Sequence, residues 1–90
     1  MAGEGRNFTA GLDLMDPGMP SYDGDDVGRK AFHLRHHIKT LQDSFNAMER
    51  CPQPVIAAVH GACIGGGVDM LCAANVRLCS ADAFFCIKEV

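Results

Sequence analysis

The order of the predicted elements gives this 90-residue chain an α/β fold. A long amphipathic helix precedes a short apolar strand, a glycine-rich loop, a second helix and two further strands. Strands that are separated by helices are typical of α/β proteins.

The first helix is predicted by seven apolar residues that recur at alternating spacings of four and three, which places them on one helical face. They are Val27, Ala31, Leu34, Ile38, Leu41, Phe45 and Met48. Asp25 or Asp26 can cap its N-terminus, and Cys51 with Pro52 ends it.

The face of this helix opposite the apolar residues is basic and carries His33, His36 and His37. Two interpretations stay open for this face, a solvated surface or contact with an anionic group such as phosphate. No carboxylate or cysteine nearby completes a metal site, so we expect none.

Three strands and a short helix follow in the second half of the chain. Residues 55–59 are apolar throughout, which predicts a strand covered on both faces. Residues 68–74 are compatible with a helix, and residues 76–79 and 84–87 with strands, joined by a turn at 80–83.

The composition limits the classes of function. Hydrophobic residues make up 48% and charged residues 21%, a globular balance that excludes a disordered tail. Eight basic and eleven acidic side chains give a net charge of −3, which disfavours a nucleic-acid-binding module. No apolar run approaches the roughly 18 residues of a membrane span. Five cysteines without a paired motif are expected to be reduced, as in an intracellular or organelle-matrix protein.

The glycine cluster Gly65–Gly66–Gly67 opens the second helix and has the character of a site for an anion or a carbonyl group, because glycine lets a ligand approach backbone N–H groups. It matches neither the P-loop nor the dinucleotide fingerprint. The alternative is that the glycines only allow close packing of helix and strand. Asp69 follows in the first helical turn, where we expect its carboxylate to face the loop, unless it is simply a helix-terminus charge.

A second glycine-containing bend occurs near the N-terminus, in Phe8-Thr9-Ala10-Gly11-Leu12-Asp13-Leu14. Taken alone it is a loop followed by a helix that Asp13 caps. Together with Pro54-Val55-Ile56-Ala57-Ala58-Val59-His60-Gly61 and Gly65-Gly66-Gly67-Val68-Asp69, it resembles the crotonase (enoyl-CoA hydratase/isomerase) superfamily. Residues 11–16, 61–69 and 82–90 most resemble the branch that isomerises dienoyl-CoA, and Asp69 stands where hydratases typically have glutamate.

This resemblance implies a fold, a reaction and a set of site residues. The fold is a crotonase-like spiral of ββα units, of which residues 1–90 form a central slice. The reaction shifts the double bonds of 3,5-dienoyl-CoA to 2,4-dienoyl-CoA in fatty acid β-oxidation, without a cofactor, since coenzyme A belongs to the substrate. The backbone N–H groups of Leu12 and Gly66 would polarise the thioester carbonyl, and Asp69 and Glu89 would transfer protons. The substrate-binding residues would be Ala10, Gly11, Leu12, Asp13, Leu14 and Gly66.

Two other functions stay open, an enoyl-CoA hydratase of the same fold and a non-catalytic acyl-CoA-binding or interaction fragment. The family pattern continues beyond Val90 to a further aspartate, so we expect residues 1–90 alone to be inactive. The resemblance also implies a homo-oligomeric parent, a trimer or hexamer, in the mitochondrial matrix or the peroxisome. The chain itself shows no targeting signal.

Overall fold

The computed structural model describes residues 1–13, 15 and 26–88 and confirms the α/β class. Two helices and four strands occur in the order α1 (Val27–Glu49), β1 (Ile56–Val59), β2 (Ala62–Ile64), α2 (Gly66–Cys72), β3 (Val76–Cys79) and β4 (Phe84–Cys86). Within these residues, no helix is long and apolar enough to cross a membrane.

The long helix α1 begins at the residue after its cap, Asp26. The Asp26 carboxylate accepts hydrogen bonds from the backbone N–H groups of Gly28 at 2.8 Å and Arg29 at 3.2 Å. These are donors that the first turn of a helix leaves unsatisfied. No residue of α1 is fully buried. Most of the apolar stripe is exposed, with Leu41 at 46% of its accessible surface, whereas Phe45 and Met48 are half-buried.

Strands β1 and β3 pair in parallel, from Ile56 opposite Val76 to Val59 opposite Cys79. The prediction that β1 is covered on both faces is wrong among the described residues. Ala57 and Val59 are buried, whereas Ile56 is 50% exposed. Successive side chains of a strand point to opposite faces, and the hydrophobic core of this chain covers only one of them.

Strand β2 lies inside the segment that the sequence indicated as a loop. It pairs in parallel with β4, from Ala62 opposite Phe84 to Ile64 opposite Cys86. A strand of three residues between glycines is too short to show a period, which explains why the sequence did not predict it.

The buried core joins the N-terminal segment to β1, β2 and α2. Its members are Phe8, Ala57, Val59, Cys63, Leu71 and Ala74. Because Phe8 and Cys63 belong to one core, the N-terminal bend and the glycine cluster are held against each other.

Candidate active site

The N-terminal segment lies beside β2 as a parallel neighbour. Phe8 N–H donates to the His60 carbonyl at 2.9 Å, and Thr9 N–H donates to the Ala62 carbonyl at 3.0 Å. In return, Ile64 N–H donates to the Thr9 carbonyl at 3.2 Å. This alternation along one edge is the hydrogen-bond pattern of a parallel pair.

Because of the register of this pairing, Leu12 and Gly66 lie beyond the same end of the two paired segments. Thr9 is opposite Cys63, and Leu12 and Gly66 each follow three residues later. The backbone is still close at Gly11, where an added Cβ would lie 3.4 Å from a β2 carbonyl oxygen. The two N–H groups that the sequence indicated as carbonyl donors therefore belong to adjacent segments that leave the ladder together.

Neither of these two N–H groups donates to a protein acceptor within the described part of the chain. The preceding amide, of Gly65, does so, because it donates to the Cys86 carbonyl at 2.9 Å. Gly65 also has a φ of 57°, a backbone conformation that glycine adopts at little cost. The turn at Gly65 thus separates the bonded amide of Gly65 from the amide of Gly66, for which no acceptor occurs among the described residues.

The two interpretations of the glycine cluster apply to different glycines. A Cβ on Gly67 would collide with the Thr9 methyl group and lie 3.3 Å from the Cys63 sulfur, so Gly67 serves close packing. A Cβ on Gly66 would meet no atom within 4 Å, so its backbone faces open space. Packing and ligand approach are therefore divided between neighbouring residues.

Two polar side chains of the N-terminal segment, for which the sequence predicted no role, order this segment beside β2. The Asn7 side-chain oxygen accepts from the Ala62 N–H at 3.1 Å. The Thr9 hydroxyl oxygen accepts from the Gly11 N–H at 3.2 Å. The only signal in the sequence is that both residues are polar and stand just before a glycine bend.

Asp69 is exposed in the first turn of α2. It lines a shallow recess between α2 and the second half of α1, together with Leu41 and Phe45. The structure therefore places Asp69 beside α1, a neighbour that the sequence did not indicate, and three residues after Gly66.

The remaining predicted site residues divide into described and undescribed positions. Ala10, Leu12 and Asp13 are exposed, and Gly11 is half-buried. The Asp13 carboxylate accepts from the Met15 N–H at 2.9 Å, a local turn bond. The helix that Asp13 was predicted to cap lies outside the described residues. Leu14 and Glu89 lie outside the described residues.

Burial raises the pKa of the Cys63 thiol, so this sulfur is a protonated packing group at neutral pH. Among the described residues, no three histidine, cysteine or acidic side chains are grouped so that they could hold a metal ion.

The enoyl-CoA hydratase/isomerase family matches the chain over residues 1–90. The human mitochondrial Delta(3,5)-Delta(2,4)-dienoyl-CoA isomerase is 54% identical over 92 residues, which cover all of this chain and 28% of the human protein. The peroxisomal Delta(3,5)-Delta(2,4)-dienoyl-CoA isomerase of Arabidopsis thaliana is 50% identical over 93 residues, which cover all of this chain and 34% of that protein.

A solved structure also resembles the chain. The enoyl-CoA hydratase/carnithine racemase of Magnetospirillum magneticum superposes with a TM-score of 0.59 at 26% identity, over 89% of this chain and 27% of the other. The relatives named mitochondrial and peroxisomal support the expected localisation in one of these two organelles. The resemblance noted in the sequence is confirmed, and the chain belongs to the enoyl-CoA hydratase/isomerase family.

Proposed function

We propose that this chain forms the carbonyl-binding part of an enzyme that isomerises 3,5-dienoyl-CoA to 2,4-dienoyl-CoA. The observation that carries the proposal is the parallel pairing of Thr9 with Cys63. Leu12 and Gly66 each follow three residues beyond this pair, and their N–H groups have no acceptor among the described residues. The names of the relatives at 54% and 50% identity support the choice of reaction.

The chemistry explains why two fixed N–H groups are useful. Removing a proton from the carbon next to a thioester moves negative charge onto the carbonyl oxygen. Donors already aimed at that oxygen stabilise the enolate, and losing one such donor typically lowers the rate by about 10²–10³. Leu12 and Gly66 offer backbone donors, which need no side chain to be ordered at the moment of reaction.

Proton transfer requires carboxylates near these donors. One proton leaves the carbon next to the thioester, and one returns at the far end of the diene, so the reaction is redox-neutral and adds no water. Asp69 is the described candidate, three residues after Gly66. Glu89 is the second candidate and follows two residues after Ile87, just beyond β4. Two carboxylates at different points along the acyl chain suit a reaction that removes a proton at one carbon and adds a proton at another.

The test supplies the full-length protein with a 3,5-dienoyl-CoA and, separately, with a 2-enoyl-CoA. We expect the first to become 2,4-dienoyl-CoA at unchanged mass, and the second to gain water slowly or not at all. Hydration of the 2-enoyl-CoA without conversion of the dienoyl-CoA would assign the hydratase function instead. Binding of both without turnover would assign a non-catalytic acyl-CoA-binding module. Light scattering on the same preparation tests the proposed trimer or hexamer.

A further inference from the structure

We propose that Thr9 is the positioning residue that sets the geometry between the two carbonyl-binding N–H groups. The proposal rests on the function proposed above, because it assigns Thr9 a role only through Leu12 and Gly66. Thr9 itself is not placed against the substrate. It contacts both segments that carry the donors.

The backbone hydrogen bonds of Thr9 fix the register of the N-terminal segment against β2. Its N–H donates to the Ala62 carbonyl at 3.0 Å, and its carbonyl accepts from the Ile64 N–H at 3.2 Å. Thr9 is thus hydrogen-bonded to the first and last residues of β2. Leu12 follows Thr9 in the N-terminal segment, and Gly66 follows β2 in the neighbouring segment.

The side-chain methyl group of Thr9 lies against the start of α2. It occupies the space into which a Cβ on Gly67 would project, and only glycine at that position leaves room for it. Gly67 is the next residue after Gly66. The Thr9 methyl therefore limits how closely the N-terminal segment approaches the donor of Gly66.

The hydroxyl group of Thr9 acts on the other donor. Its oxygen accepts from the Gly11 N–H at 3.2 Å. Gly11 has a φ of 95°, so the chain turns sharply immediately before Leu12. Holding the Gly11 amide fixes the turn that aims the next N–H group, that of Leu12.

Threonine is the residue type that supplies both contacts from one Cβ. Serine would keep the hydroxyl acceptor and lose the methyl group, and valine would keep the branched shape and lose the acceptor. Thr9→Val and Thr9→Ser in the full-length protein therefore separate the two contacts, since valine replaces the hydroxyl at similar volume and serine removes only the methyl group.

The first experiment measures kcat, KM and the infrared carbonyl band of bound 2,4-dienoyl-CoA. We expect Thr9→Val to lower kcat by about tenfold or more with a much smaller change in KM, because misaligned donors lose mainly transition-state stabilisation. We also expect the carbonyl band of the bound ligand to move towards its position in free 2,4-dienoyl-CoA. Thr9→Ser keeps the acceptor for the Gly11 N–H and loses the methyl contact with Gly67, so it should lose part of both signals, less than Thr9→Val does.

The second experiment exchanges the methyl group between the two contacting positions. Gly67→Ala alone should lower kcat, because the new Cβ collides with the Thr9 methyl group. Adding Thr9→Ser to Gly67→Ala removes that methyl and should restore kcat towards the Thr9→Ser value. Such a reversal of sign identifies a direct contact, and strict additivity of the two changes would contradict it.

The outcomes separate this inference from the function on which it rests. If the unsubstituted protein binds 2,4-dienoyl-CoA without shifting its carbonyl band, the proposed carbonyl-binding function fails. If that shift is present and Thr9→Val leaves both the band and kcat unchanged, the positioning role of Thr9 is overturned while the function stands. If Thr9→Val unfolds, the comparison of Gly67→Ala with the double variant Gly67→Ala and Thr9→Ser still tests the role of Thr9.

Discussion

Asp69 stands three residues after a proposed carbonyl donor, on the exposed side of the first turn of α2. We expect Asp69→Asn in the full-length protein to lower kcat by about 10²-fold or more, because the amide keeps the shape and cannot accept a proton. Ligand affinity should change much less.

Asp82→Asn is the matched control for this substitution. Asp82 is also exposed, and its carboxylate accepts a hydrogen bond from the Ser80 hydroxyl in the turn before β4. We expect this variant to keep the kcat of the unsubstituted protein. An equal loss of kcat in both variants would show that Asp69 has no special part in proton transfer.

The lowered pKa of the Asp82 carboxyl group leads to a separate testable prediction. The hydrogen bond from Ser80 is the largest of the effects that lower the pKa of this carboxyl group below its usual value. A group whose folded-state pKa is depressed stabilises the fold above its unfolded pKa, and that contribution is lost as the pH falls through the folded value. We expect Ser80→Ala to raise the pKa of Asp82 in an NMR titration. An unchanged pKa would mean that the hydroxyl does not hold the carboxylate.

The Asp26 cap stabilises the start of α1. No residue of α1 is buried, and the Asp26 carboxylate accepts two first-turn N–H groups. We expect Asp26→Ala to lower the free energy of unfolding of the full-length protein by about 1 kcal/mol in chemical denaturation. Asp26→Asn keeps an oxygen acceptor and should lose only a fraction of that. Equal stability of Asp26→Ala and the unsubstituted protein would contradict the capping role.

The elements also differ in how far the sequence could predict them. The bounds of α1 were predictable, because a long stripe of period 3.6 and an acidic cap agree on the same start. Strand β2 was not, since three residues between glycines show no period. The burial of β1 was mispredicted, because an apolar strand shows which side chains can be buried but not which face this chain covers.

For the candidate site, Leu12 and Gly66 could be indicated only by resemblance to a family. Their placement depends on the pairing of Thr9 with Cys63, between segments more than fifty residues apart in the chain. Local patterns carry no information about such a register. The roles of Asp69 and Glu89 in proton transfer remain predictions, and Glu89 lies outside the described residues.

In the molecule as a whole, exposed apolar surface limits the stability of residues 1–90. Fourteen large hydrophobic side chains of the described residues are exposed, and only seven hydrophobic residues of this part of the chain are buried. A large amount of exposed apolar surface normally marks faces that a partner or further chain covers. The ordering of each residue costs about 1–2 kcal/mol of backbone entropy, which a core of this size offsets poorly.

We therefore expect residues 1–90 on their own to lack a cooperative thermal transition and to show no turnover of 3,5-dienoyl-CoA. Calorimetry and product analysis on the isolated segment check both statements. A sharp transition accompanied by turnover would show that the exposed faces need no cover.

The proposed function requires that two backbone N–H groups of this chain bind one thioester oxygen. A crystal structure of the full-length protein with 2,4-dienoyl-CoA measures this directly. We predict that the thioester oxygen lies at about 2.7–3.1 Å from both the Leu12 and the Gly66 nitrogen atoms. A bound ligand whose thioester oxygen contacts neither nitrogen would contradict the account.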